Sequence, residues 1–125
     1  MIALDASALL AFLFREPGHE MVAQKLEESC ISSVNLAEVL GRFARDGHDP
    51  RMVFEHLRRS PLEMVPFLAE DAALVAALAP RTRTLGLSLG DRACLALAAT
   101  RGIPAVTADS AWLSLDVGVR VHLVR

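Results

Sequence analysis

Short apolar runs of strand length alternate along the chain with longer stretches whose apolar residues recur at helical spacing. Ile2-Ala3-Leu4 reads as a strand that passes at once into a helix through Ser7 to Phe14, broken by Pro17-Gly18. Glu20 to Glu28 reads as a second helix with Met21, Val22 and Leu26 inward, and Cys30-Ile31-Ser32 as a second strand. Leu36 to Arg45 carries Leu36, Val39, Leu40 and Phe43 on one helical face and stops at Asp46-Gly47. Pro50 opens the next helix, in which Val53, Phe54 and Leu57 share a face, and Leu62 to Phe67 is a strand. Ala69 to Leu78 is an Ala-rich helix with Glu70 and Asp71 in its first turn, followed by a loop from Pro80 to Gly86. Leu89 to Thr100 is a buried helix ended by Arg101-Gly102. Ile103 to Thr107 is a strand, Ser110 to Leu113 a helical turn, and Val117 to Val124 a last strand.

The strands read as continuous apolar runs and not as alternating ones. That predicts an α/β fold, a mainly parallel sheet of about five strands covered by helices on both faces. With 125 residues and no repeat or linker, the chain reads as a single domain, 1–125.

Composition sharpens this picture little. At 53% hydrophobic and 22% charged, the chain sustains a core and is not disordered. With 5% aromatics and no Tyr, that core must be mostly Leu, Val and Ala. Cys30 and Cys94 sit in apolar segments and are expected as buried thiols. No basic segment precedes Asp5, and no apolar run reaches the roughly 18 residues of a spanning helix, so a cytoplasmic protein without a membrane partner is expected. The net charge of −2 does not announce a nucleic-acid binder and leaves that role to local patches.

Candidate chemistry lies in the acids. Asp5 follows the first strand, Glu38 lies just inside the helix after the second, Asp91 begins the helix opened by Leu87-Ser88-Leu89-Gly90, and Asp109 follows Ala105 to Ala108. In an open parallel sheet the carboxyl ends of strands and the amino ends of following helices share one edge, where ligands bind. Each acid also fits a helix cap: Asp5 before Ala6, Asp109 before Trp112, and Asn35-x-x-Glu38 and Ser88-x-x-Asp91 as capping boxes. If the four converge, mutual repulsion calls for a divalent cation, and all-oxygen ligands select magnesium or manganese over zinc. The four His are scattered and offer no competing site.

LDASAL, SSVNLAEVL, LGLSLGDRACLALA and TADSAW, in this order and spacing, resemble the PIN-domain family, most closely the VapC-type toxins of toxin–antitoxin systems. The resemblance implies a three-layer α/β/α sandwich and a magnesium- or manganese-dependent endoribonuclease. It gives Asp5, Glu38, Asp91 and Asp109 as catalytic, metal-binding acids, with Ser7 and Thr107 orienting them or the substrate. It also implies a homodimer neutralised by a cognate VapB-like antitoxin whose C-terminal segment lies in an apolar groove, here around Met21 to Leu26 and Leu36 to Phe43. DNA would be met only through that antitoxin. Arg42, Arg45, Arg81, Arg83 and Arg92 flank the acidic segments and are the candidates for RNA phosphate contacts.

Rival readings fare less well on residues. A phospho-acceptor receiver domain wants a paired acid after the first strand and a late Lys, whereas the one Lys is Lys25. A haloacid-type phosphatase wants Asp-x-Asp, and the chain has Asp5-Ala6-Ser7. A non-catalytic PIN-like scaffold for RNA or protein remains the alternative, with the four intact carboxylates against it.

Overall fold

A computed structural model describes all residues, Met1 to Arg125. Five strands, β1 (Ile2–Leu4), β2 (Ser29–Ser32), β3 (Glu63–Val65), β4 (Ala105–Thr107) and β5 (Val121–Leu123), form one sheet in the order β3-β2-β1-β4-β5. Every pairing is parallel, with Leu4 opposite both Ile31 and Val106. The order reverses beside β1, and an open sheet of this kind leaves a crevice at the carboxyl ends of the strands flanking such a switch.

Six helices cover the sheet: α1 (Ala6–Leu13), α2 (His19–Gln24), α3 (Ser33–Arg45), α4 (Pro50–Arg59), α5 (Ala69–Thr82) and α6 (Leu89–Arg101). One apolar cluster holds Leu4, Ile31 and Val106 of the sheet with Leu9, Val22, Val39 and Leu57 of α1 to α4. The other holds Ala3, Cys30 and Ala105 with Val75 and Leu78 of α5, Leu95 and Ala98 of α6, and Trp112. Alternate residues of each strand thus feed opposite clusters, as a sheet buried on both faces requires. The result is the expected α/β/α sandwich. Cys30 and Cys94 are free and buried, and no helix is long and apolar enough to cross a membrane.

Several boundaries differ from the sequence pattern. The Glu20 to Glu28 segment is α2 plus a tight turn over Leu26–Glu28. α5 does not give way to a loop at Pro80 but continues to Thr82, because Val75, Leu78 and Thr82 keep one buried face through the proline. The Thr82 hydroxyl donates to Leu78 O at 2.9 Å there. The strands are shorter than their apolar runs: Pro61, Pro66 and Pro104 lack the N–H a ladder needs, and Gly118 turns at φ 76. Gly18 has φ 96, and a Cβ there would overlap Val124 O, so α2 begins hard against the last strand's exit.

Candidate metal centre

Asp5 stands one residue past β1, 4% exposed, and caps α1. Its Oδ1 accepts from Ala8 N at 2.8 Å and from Ser7 Oγ at 2.7 Å, and its Oδ2 from Thr107 Oγ1 at 2.5 Å. Ser7 and Thr107 are themselves fixed. Ser7 Oγ accepts from Ala108 N at 2.9 Å, and Thr107 Oγ1 from Asp109 N at 3.1 Å. The network bridges β1 and β4, the two strands at the switch in sheet order.

Asp91 sits in the first turn of α6 in a true capping box: its Oδ2 accepts from Ser88 N at 2.9 Å while Ser88 Oγ accepts from Asp91 N at 3.1 Å. Asp109 caps the turn Ser110–Ser114, its Oδ1 accepting from Ala111 N at 3.0 Å. Glu38 is different. α3 begins at Ser33, three residues before the pattern suggests, because Ser32 Oγ accepts from Val34 N at 3.2 Å. Asn35 and Glu38 therefore lie inside the helix and form no capping box. Instead Asn35 Nδ2 donates to Glu38 Oε1 at 3.0 Å and to Gly90 O at 2.9 Å.

Asp5 is thus held through both carboxylate oxygens, and Glu38, Asp91 and Asp109 each through an N–H donor on one. Glu38 Oε2, Asp91 Oδ1 and Asp109 Oδ2 have no protein donor, and Asp5 Oδ2 keeps a lone pair beside its one bond. Burial pushes the Asp5 carboxyl up, against the bonds from Thr107, Ala8 and Ser7, with the charge of Asp91 adding to the rise. Burial also raises Glu38 against its Asn35 bond, with Asp91 and Asp5 adding. Beneath them the Cys94 thiol is driven well up by its burial and by the charges of Asp5, Asp91 and Glu38. Asp5, Glu38 and Asp91 thus share one electrostatic neighbourhood. Asp109 is not among the groups they sense; it lies at the same sheet edge, tied to the network through its own N–H.

As placed, no three acidic, histidine or cysteine side chains share a single coordination point. Mutual repulsion favours that spread. The donor set nonetheless fits a hard cation: all oxygen, with Asp5 and Glu38 raised in pKa by burial and like charge, one oxygen free of protein donors on Glu38, Asp91 and Asp109, and a lone pair left on Asp5 Oδ2.

The arginines are less uniform. Arg92 is half-buried and donates to Val75 O at 3.0 Å, tying α6 to α5. Arg81 donates to Asp116 O at 2.7 Å. Arg42 pairs with Asp46 at 3.2 Å and lies over the Phe14 ring at 5.1 Å. Arg45 and Arg83 are exposed. A cavity of about 240 Å³ lined by Ser32, Val65, Phe67, Ala96 and Arg101 includes none of the four acids.

Sequence reasoning missed the part played by Asn35 and Gly90. Asn35 was visible only as a cap residue, and Gly90 carried no turn signal; what joins the two to each other is a contact across 55 positions.

The PIN domain family profile matches residues 2–117. No curated protein matches the chain significantly by sequence. Among solved structures, the chain is similar to the DNA-bound VapBC complex of Salmonella typhimurium, with a TM-score of 0.77 at 18% identity, covering 99% of this chain and 98% of that one. A toxin–antitoxin complex from Klebsiella pneumoniae gives 0.73 at 20% identity, covering 100% and 98%. VapC20 of Mycobacterium tuberculosis, a sarcin-ricin loop cleaving toxin, gives 0.76 at 21% identity, covering 96% and 99%. At these identities the likeness is one of fold.

Proposed function

The chain belongs to the PIN domain family, and from that premise we propose that it is a magnesium- or manganese-dependent endoribonuclease. The observation that carries this reading is the set of four carboxylates at one sheet edge, each held by hydrogen-bond donors with coordinating capacity left over. Asp5, Glu38, Asp91 and Asp109 would hold the cation. Bound there, it would supply an activated water and stabilise the charge that develops on a phosphodiester.

The remaining work falls to the chain. Ser7 and Thr107 fix the Asp5 carboxylate, and the amino ends of α1 and α6 face negative charge with the positive ends of their dipoles. Among the arginine candidates, exposed Arg45 and Arg83 are the best placed to meet RNA phosphates.

RNA as substrate is supported by the likeness to VapC20, and a VapB-like antitoxin by the likeness to two toxin–antitoxin complexes. The antitoxin's apolar segment would seat on the half-buried Met21, Leu26, Leu40 and Phe43, beside the Phe14–Phe43 stack at 5.1 Å. A homodimer belongs to the same reading, with DNA contacted only through the antitoxin.

The test is purified, antitoxin-free chain incubated with RNA in magnesium, in manganese and in chelator, beside Asp5→Asn. Cleavage is expected with either metal and in neither control. Cleavage that survives chelator or the substitution sinks the mechanism, and RNA binding without cleavage favours the scaffold.

A further inference from the structure

Asn35 is 1% exposed and spends both N–H groups of its amide on two partners from different helices, Glu38 Oε1 and Gly90 O. Turning the amide over would set its oxygen against two acceptors, so its orientation is determined. The consequence is a buried Oδ1 with no partner. A side chain retained only to pack α3 on α6 would be better apolar, since an orphaned buried acceptor lowers stability.

Gly90 makes the complementary case. It is buried within α6 and has no left-handed φ, so its backbone does not demand glycine. Space does: a Cβ there would overlap Glu38 Oε1 and stand 2.7 Å from Oε2. The missing Cβ is the room in which the Glu38 carboxylate lies, one residue from Asp91.

We propose that Asn35 and Gly90 are positioning residues that together seat the Glu38 carboxylate beside Asp91 and so set the affinity of the acidic cluster for a divalent cation. This rests on the metal-dependent reading above. Outer partners that orient a ligand change affinity because an untethered carboxylate must be ordered anew at each binding event.

The test is titration of the full chain, free of RNA, with manganese ions by calorimetry, with thermal melts alongside. Asn35→Ala and Gly90→Ala are each expected to weaken manganese binding by about 10- to 100-fold. Neither should weaken it further in a Glu38→Ala background. Wild-type affinity in both variants, or an equal loss with and without Glu38, overturns the seat while leaving the metal reading intact. Absence of binding by the unaltered chain, or binding indifferent to Asp5→Asn, overturns the metal reading itself and the seat with it. Should Gly90→Ala unfold the protein, folding restored in Gly90→Ala/Glu38→Ala supports the seat, and failure in both overturns the glycine's part in it.

Discussion

At Asp5 three donors favour the anion and a nearly dry pocket opposes it, and burial wins. A carboxyl whose folded pKa lies above its unfolded one contributes full stability below the unfolded value and loses it as pH rises through the folded one. At neutral pH the burial of Asp5 is therefore a burden on the metal-free fold. Asp5→Asn should raise the metal-free melting temperature at pH 7 by roughly 2–5 °C, an advantage that fades in acid, while removing cleavage. The amide keeps the Ala8 bond, and the Thr107 hydroxyl can turn to accept. Lower stability of the variant at pH 7 in scanning calorimetry would contradict this balance.

Three of the four acids are helix caps as well, and at the scale of the element that double use can be separated. Asp109→Asn should keep the bond from Ala111 N and melt like the parent, yet lose activity. Asp109→Ala should lose both, with about 1 kcal/mol of stability in denaturant titration. A further pair far from the acids joins elements without chemistry: Arg101 at the end of α6 holds Glu63 of β3 by two 2.7 Å bonds. That pairing lowers the Glu63 carboxyl, so its stabilisation is present above the unfolded pKa and lost as pH falls through the folded one. Water screens both partners, so Glu63→Gln should cost no more than about 1 kcal/mol at pH 7 and nothing in acid below that folded value. Most elements were legible from apolar period and from Pro and Gly punctuation, and the caps at Asp5, Asp91 and Asp109 from residue type and position. The capping box that Asn35 and Glu38 also fitted does not form, because Ser32, Ser33 and Asn35 are all competent to start a helix and the cap falls on Ser32. Pro80 misled because three buried side chains outweigh one missing N–H.

Across the whole molecule, apolar strands argued for a parallel, two-faced sheet, but nothing local told which strands would be neighbours. The order β3-β2-β1-β4-β5 is decided by which helix covers which face, and it is this order that brings Asp5 to Thr107. A cation bridging the acids at that switch should stabilise the entire fold by mass action. Manganese at about 100 times its dissociation constant should add about 2.7 kcal/mol, read as a rise in melting temperature that chelator reverses and Asp5→Asn abolishes. The bond from Thr107 to Asp5 spans 102 positions, and the central strand β1 takes one of its two neighbours, β4, from about a hundred residues further along the chain. During synthesis, then, no nascent chain shorter than Thr107 can assemble this edge. Translation that stops before Thr107 yields fragments in which Asp5 Oδ2 has no donor, so the acidic edge is completed only once most of the chain has been made.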